Sequence, residues 1–315
     1  MCRSSSTKHF SMAAGLTVDH NIMLTNTFCH VPGVGFKTEQ RIWSSGILEW
    51  HGFNAPYPQG FSRRQIVGLE RYLQESKRQL AKRNPGFFTR RLPPNLHWRL
   101  FPEFKDSIAY LDIETTGMAA GSDSITTIAL SDGKTTYWYV SGLNLENFKA
   151  DIQKYAVIVS YNGKCFDIPF IERDLGLRLD QVHIDLRYIL ASLGYKGGLK
   201  RCETLLGIDR GELEGLDGFF AVLLWHDYRR NNNLNALDTL LAYNLRDAVS
   251  LETLMVAAYN LKTKTTPFAE SHRLSSAPEP LVSFKPHRET IERIKRETYY
   301  TGRVNKEQYV VTVNY

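Results

Sequence analysis

The chain has 315 residues, of which 43% are hydrophobic and 23% charged, and its net charge is +6, values that are ordinary for a soluble globular protein. No apolar run approaches the roughly 18 residues of a membrane span, and residues 11–18 are too few and too polar for the core of a signal peptide. The four cysteines show no paired spacing, so the sequence indicates neither a disulfide framework nor a zinc site and favours a cytoplasmic location.

Charge is distributed unevenly along the chain. Residues 1–104 carry 14 Lys and Arg against 6 Asp and Glu, residues 105–260 carry 15 against 21, and residues 261–315 carry 10 against 6. Basic ends thus flank an acidic centre, as expected of a protein that holds a polyanion and binds metal in its middle; a solvated basic surface is the alternative. We predict four parts: a disordered extension (1–22), a basic helical region (23–104), a central domain (105–260) and a polar, basic tail (261–315).

The basic region begins with a glycine-containing turn. Whether Met23 is the true start of the protein is open. Gly33 and Gly35 allow a tight hairpin, and backbone N–H groups at the start of the next helix can face a phosphate. This stretch resembles the helix-hairpin-helix nucleic-acid-binding motif, although a loop between two packed helices is the alternative. The resemblance implies four nucleic-acid contacts: Gly33, Gly35, Lys37 and Arg41.

A further helix is predicted from about Arg63 to Arg83, after Ser62 as its N-cap. Its apolar positions recur at helical spacing, and its opposite face is basic. We favour a packed helix with a solvated basic face over direct contact with nucleic acid.

The central domain has the pattern of an α/β fold. We expect a mixed five-stranded sheet flanked by helices, with antiparallel strands first and parallel strands after. Strands are predicted at residues 108–114, 124–130, 135–140 and 156–161, and a helix at residues 145–155.

Acidic residues lie at the end of the first predicted strand, after a later strand and on a helix. Asp112 and Glu114 are two apart at the end of the first strand, so both point to one face of the sheet. Two buried anions repel each other, and a divalent cation bound by the carboxylate oxygens commonly compensates their charge. Asp167 follows a later strand, and Tyr243 and Asp247, four apart, share one face of a helix.

These three stretches resemble the motifs of the DEDD 3′→5′ exonucleases of the RNase H-like superfamily. The spacing from Tyr243 to Asp247 is similar to that of the tyrosine type, and Ala242 excludes the histidine type. The intervening sequence makes the chain most similar to the bacterial YprB-like branch. The resemblance implies an RNase H-like fold, exonuclease activity on DNA or RNA by a two-metal-ion mechanism, and Mg²⁺ or Mn²⁺ as the two ions. It implies these catalytic residues, of which the four carboxylates are metal ligands: Asp112, Glu114, Asp167, Tyr243 and Asp247.

The resemblance also implies individual roles. Asp112 would bridge both ions, Glu114 and Asp247 would hold the ion that binds the nucleophilic water, and Asp167 would support the other ion. Tyr243 would orient that water, because a phenol with an ordinary pKa near 10 is a poor base. Further candidates are Thr115 and Asn162 as substrate contacts, and His183 and Asp185 as residues that support the metal ligands.

Two other functions are compatible with the fold: a non-catalytic nucleic-acid-binding protein and a structure-specific endonuclease. The expected partner is nucleic acid with a single-stranded 3′ end, and no membrane is expected. The sequence leaves open DNA against RNA, the preferred strandedness, protein partners and the oligomeric state.

Overall fold

A computed structural model describes residues 23–117 and 121–301. The predicted disordered extension, residues 1–22, lies outside the described residues. The strands are β1 (Ile108–Thr115), β2 (Ile125–Ser131), β3 (Thr136–Val140), β4 (Val157–Ser160) and β5 (Val182–Asp185). The α-helices are α1 (Phe36–Ser44), α2 (Arg63–Ala81), α3 (Pro85–Thr89), α4 (Phe101–Phe104), α5 (Phe148–Ile152), α6 (Asp167–Leu175), α7 (Leu186–Ala191), α8 (Leu199–Leu205), α9 (Gly218–Asn231), α10 (Leu234–Thr263) and α11 (Arg288–Thr301).

The five strands form one mixed sheet in the order β3-β2-β1-β4-β5. Strands β1, β2 and β3 pair antiparallel, whereas β4 is parallel to β1 and β5 is parallel to β4. This confirms the predicted fold class and its arrangement of antiparallel strands first and parallel strands after. Because β1 is central and has neighbours on both sides, its residues are held rigidly.

The segment after strand β3 differs from the helix predicted at 145–155. The Asn144 amide accepts a hydrogen bond from Val140 N (2.7 Å) and donates one to Trp138 O (3.1 Å), so it covers part of this exposed sheet edge. The chain then makes a 3₁₀ turn at Leu145–Asn147 before the five-residue helix α5. The observed helix is therefore shorter than the periodicity predicts.

Helix α10 is the long helix that packs against the sheet. It spans 30 residues and is buried along most of its length, including Tyr243 and Asp247. Its sequence is apolar on nearly every side because β1, β2 and α9 cover it on several sides. None of the helices in the described ranges combines the length and the hydropathy that a membrane crossing requires.

The predicted C-terminal tail is folded onto the domain through residue 301. The Asn260 side chain bonds both the backbone N–H and the carbonyl of Leu274, at 2.9 and 2.8 Å. Ile291 and Ile294 of α11 are buried in one cluster with residues of α9 and α10. Part of the predicted polar tail is therefore the helix α11, which packs on the domain.

The N-terminal region packs on the same body through turns followed by helices. Residues 23–35 form turns, so within the described chain no helix precedes the hairpin, and the helix-hairpin-helix pattern lacks its first helix. Gly33 has φ +82°, as the tight turn requires. Helix α2 begins with a capping box formed by Ser62 and Gln65, close to the predicted start.

A buried ion pair ties this region together. Glu39 Oε1 and Oε2 accept hydrogen bonds from Arg99 Nη1 and Nη2 at 2.8 and 2.9 Å, and both side chains are at most 1% exposed. Glu39 Oε1 also accepts the backbone N–H groups of Phe28 (2.7 Å) and Cys29 (3.0 Å). The carboxylate is therefore saturated with donors and joins the turns, α1 and the chain before α4.

We expect Glu39→Gln to lower the free energy of unfolding by about 3–5 kcal/mol, because it leaves the Arg99 charge buried without a counter-ion. Urea denaturation followed by tryptophan fluorescence measures the change. Arg178→Ala is the matched control, since the Arg178–Asp180 pair is 85% and 79% exposed, and it should unfold like the unaltered protein. Equal stability of all three proteins would contradict the structural role of the buried pair.

Candidate metal centre

Three carboxylates meet where the end of β1 faces α10. Asp112 and Glu114 reach this point because residues two apart on a strand share a face, and Asp247 reaches it from α10. One oxygen from each lies within 4.8 Å of the others. Asp247 is 1% exposed. The three line a cleft of about 280 Å³.

Asp167 enters the same cleft from the first turn of α6 and is 4% exposed. Its carboxylate lies outside the group of three whose oxygens are mutually within 4.8 Å. The structure therefore brings all four predicted carboxylates to one cleft, with Asp167 beside the closest three.

Two cations of the chain face the cluster. Lys200 Nζ contacts Asp247 Oδ2, and Arg210 Nη2 lies 2.7 Å from Asp247 Oδ1. Arg210 Nη1 also lies 2.7 Å from Oε2 of the buried Glu203, and this second ion pair fixes the position of the guanidinium group. The Lys200 side chain is 34% exposed, whereas that of Arg210 is 2% exposed.

Burial and mutual repulsion raise the pKa values of the carboxylates. Burial first, then the charges of Asp247 and Glu114, raise the pKa of Asp112 well above its usual range. Burial raises the pKa of Glu114 to about 8, against the opposing effect of Lys200, and burial raises the pKa of Asp167 to about 7. The free acids thus hold protons readily, and a cation brought near them displaces those protons.

Tyr243 also lines the cleft, and its ring lies beneath the two cations. The distance from its centroid is 4.5 Å to Lys200 Nζ and 5.5 Å to Arg210 Cζ. Its hydroxyl is buried and makes no hydrogen bond within the described structure. Burial, followed by the nearby carboxylate charges, raises the pKa of this phenol, so it is a protonated donor rather than a base.

The loop that carries Asp167 is shaped by Asp185. Asp185 accepts backbone N–H bonds from Asn162 (2.8 Å), Lys164 (3.2 Å) and Arg187 (3.0 Å). It therefore organises the loop before α6 and caps α7, and it does not join the three-carboxylate group.

His183 supports the same loop through Ser160. Its Nε2 lies 2.7 Å from Ser160 Oγ, and burial lowers the pKa of the imidazole to about 3, so it is neutral at physiological pH. Gly163 is required here because a Cβ at this position would lie 2.2 Å from Ser160 Oγ. Both predicted supporting residues, His183 and Asp185, thus act on backbone geometry rather than on a ligand oxygen.

The two predicted substrate contacts, Asn162 and Thr115, lie in different surroundings. Asn162 lines the cleft at φ +65°, and its Oδ1 accepts a 2.6 Å hydrogen bond from Arg187. Thr115 is buried, and its hydroxyl donates to the carbonyl of Gly117, which fixes the end of β1.

The hairpin residues are elsewhere: Gly33, Gly35, Lys37 and Arg41 do not line the carboxylate cleft. Arg41 Cζ lies 4.8 Å from the ring centroid of Phe61. On helix α2, the basic C-terminal end is near the start of β1, where Arg83 contacts Asp106. The site is at the other end of β1, so this end of α2 is remote from it.

Four polar residues of the site were not predicted from the sequence. They are Lys200, Arg210 and Asn244, which contact the carboxylates across long stretches of chain, and Thr127, which contacts Asn244. Asn244 donates to Asp112 Oδ2 at 2.7 Å across 132 positions. No local spacing signals such a contact, although Asn244 directly follows Tyr243 in the predicted helix.

The donor set fits a hard divalent cation. The three clustered ligands offer only carboxylate oxygens, which Mg²⁺ and Mn²⁺ prefer over sulfur or nitrogen donors. Two positive side chains already offset part of the negative charge, so the cluster can exist in the protein without an ion.

A family model matches the central part of the chain. Residues 109–259, slightly under half of the chain, match the family model of the RNase_H superfamily. Among solved structures, the chain is similar to the family B DNA polymerase from the hyperthermophilic archaeon Pyrobaculum calidifontis, with 19% sequence identity and a TM-score of 0.37. That similarity covers 53% of this chain and 27% of the polymerase chain. The search of curated proteins found no match.

We expect Mn²⁺ at 100 times its dissociation constant to raise the melting temperature by about 5 °C relative to EDTA, since it binds the folded state alone. Asp112→Asn should remove most of this increase. In EDTA the same variant should be at least as stable as the unaltered protein, because it relieves carboxylate repulsion. Differential scanning calorimetry measures both effects, and Asp180→Asn, at an exposed carboxylate, is the control. A Mn²⁺ shift that survives Asp112→Asn would place the ion elsewhere.

Proposed function

We propose that the chain is a metal-dependent nuclease that removes nucleotides from the 3′ end of DNA or RNA. The observation that carries this proposal is the convergence of Asp112, Glu114 and Asp247 within 4.8 Å in one cleft, with Asp167 beside them. Asp112, Glu114 and Asp247 would hold one ion, and Asp112 with Asp167 the other. Two divalent ions at such a site activate a water and neutralise charge on the attacking and leaving oxygens.

The protein's own groups have separable tasks in this reaction. Tyr243 keeps its phenolic proton and has an unpaired hydroxyl in the cleft, so it can donate a hydrogen bond that orients the attacking water or a phosphate oxygen. Lys200 is the partly exposed cation at the cluster, and it can turn towards the negatively charged phosphodiester. Asn162 lines the cleft where the strand end would lie.

The resemblance to tyrosine-type DEDD exonucleases supports the 3′→5′ direction and the preference for a single-stranded end. The match of residues 109–259 to the RNase_H superfamily supports phosphodiester hydrolysis in general. The helix-hairpin-helix-like residues Gly33, Gly35, Lys37 and Arg41, which lie outside the cleft, are proposed accessory contacts for the nucleic acid. A cytoplasmic location is proposed on the sequence alone.

One observation favours the alternative of a non-catalytic nucleic-acid-binding protein. Lys200 and Arg210 both contact Asp247, so the chain supplies two positive charges to its own carboxylates. A cluster neutralised in this way can be stable without any ion. Absence of Mn²⁺ binding would therefore favour the non-catalytic alternative.

Digestion of end-labelled strands tests the proposal directly. We expect stepwise loss from the 3′ end of single-stranded DNA or RNA with Mn²⁺ or Mg²⁺, none in EDTA, and none with Asp112→Asn. Asp180→Asn should be fully active. Gel analysis of 3′- and 5′-labelled strands distinguishes the alternatives: internal cuts would indicate an endonuclease, and retention without cleavage under every metal condition would indicate a binding protein.

Tyr243→Phe is expected to lower kcat by about 10²- to 10³-fold, as for loss of one preorganised hydrogen-bond donor, because it removes the unpaired hydroxyl and keeps the ring beneath Lys200. Metal affinity should stay unchanged. Single-turnover digestion measures the rate, and calorimetric Mn²⁺ titration measures the affinity. Tyr188→Phe, at a tyrosine that is 52% exposed, is the control. Unchanged kcat would remove Tyr243 from the reaction.

A further inference from the structure

Asn244 is a buried amide that contacts one of the proposed metal ligands. It is 0% exposed and lies on α10 between Tyr243 and Asp247. Its Nδ2 donates to Asp112 Oδ2 at 2.7 Å. Asp112 is therefore held by a neutral group from α10, whereas Asp247 is held by the cations of Lys200 and Arg210.

Thr127 holds the other end of the Asn244 amide. The Thr127 hydroxyl donates to Asn244 Oδ1 at 2.9 Å, and the Thr127 side chain is also 0% exposed. A carboxylate that binds a cation is ionised and only accepts hydrogen bonds, so in that state the amide nitrogen faces Asp112 and the Thr127 hydroxyl donates to the amide oxygen. Reversing the amide would place two acceptors against each other at Asp112.

The position of Thr127 is set by the sheet. It is paired with Glu114 in the register between β1 and β2, so it is a direct neighbour of a second proposed ligand. The contact chain from Thr127 through Asn244 to Asp112 thus joins β2, α10 and β1. All three elements are packed in the centre of the domain, where they have little freedom to move.

A neutral donor has a specific advantage at this position. It fixes one oxygen of Asp112 without adding positive charge, so the carboxylate keeps its attraction for a cation. Asp112 lines the cleft, and with Oδ2 bound to Asn244 its other oxygen remains available there. A lysine or arginine in place of Asn244 would orient the carboxylate equally well but would compete with the ion.

We propose that Thr127 and Asn244 are positioning residues that orient Asp112 for divalent-cation binding. The inference rests on the proposed function, because it assigns Asp112 to the metal centre. It predicts that the hydroxyl of Thr127, two contacts away from the ion, influences metal affinity.

Thr127→Val tests this with almost no change of shape, and Thr127→Ser is the matched control because it keeps the hydroxyl. Mn²⁺ binding is measured by isothermal titration calorimetry on the full chain without nucleic acid. We expect the valine variant to bind Mn²⁺ about 10- to 100-fold more weakly, as is typical when a partner behind a metal ligand is removed. The serine variant should bind like the unaltered protein.

Asn244→Ala provides a second, independent substitution, which removes the donor itself and should weaken Mn²⁺ binding at least as much. In nuclease assays, excess Mn²⁺ should restore most of the kcat of Thr127→Val, because the defect is in metal affinity. Thermal unfolding in EDTA should show Thr127→Val folded and close to the unaltered protein in melting temperature.

Mn²⁺ affinities unchanged in both Thr127→Val and Asn244→Ala would overturn the inference while leaving the proposed function intact. Loss of the fold of Thr127→Val in EDTA would also overturn it, since Thr127 would then be a core residue. If the unaltered protein binds no Mn²⁺, both the inference and the proposed function are overturned.

Discussion

Repulsion among carboxylates is the constraint on which the rest of the site depends. Asp112 and Glu114 are forced to one side of β1 by the strand period, and α10 adds Asp247 within 4.8 Å. At that distance two unit charges repel by roughly 3–4 kcal/mol at an effective dielectric constant of about 20. Folding can tolerate this only if protons, side-chain cations or bound ions offset the charge. Lys200 and Arg210 provide the part of that compensation that the chain itself carries.

The buried carboxylates of this protein differ in how completely they are satisfied. Glu39 receives two bonds from Arg99 and two from backbone N–H groups, and Asp185 receives three backbone N–H bonds. Both have structural roles that need nothing further. Asp112 has a hydrogen bond from Asn244, and burial strongly raises its pKa. An under-satisfied carboxylate in a cleft, next to saturated ones elsewhere, distinguishes a binding group from a structural one.

Local periodicity predicted those parts of the site that lie on one element. The pair of Asp112 and Glu114 follows from the strand period, and the pair of Tyr243 and Asp247 follows from the helix period. Strands β1 to β4 were predicted from their apolar, often β-branched runs and the Asp-Gly turn, whereas the short strand β5 (Val182–Asp185) was not located from the sequence. Lys200 and Arg210 could not be predicted, because they meet Asp247 only through the packing of α8 and the following loop against α10. The turns at residues 23–35 could not be predicted from local spacing, because Glu39 of α1 accepts the backbone N–H groups of Phe28 and Cys29 that a helix would bond internally.

The two cations at Asp247 are not equivalent, and their difference bears on how the cluster accepts an ion. Arg210 is anchored by Glu203 and has a side chain that is 2% exposed, so moving it would leave a buried charge unpaired. The Lys200 side chain is 34% exposed, and its flexible stem can carry the ammonium group into solvent or onto a phosphate. Lys200 is therefore the cation that could give up Asp247 to an ion at a lower cost. Displacing Arg210 would cost more, because it would also break the buried pair with Glu203.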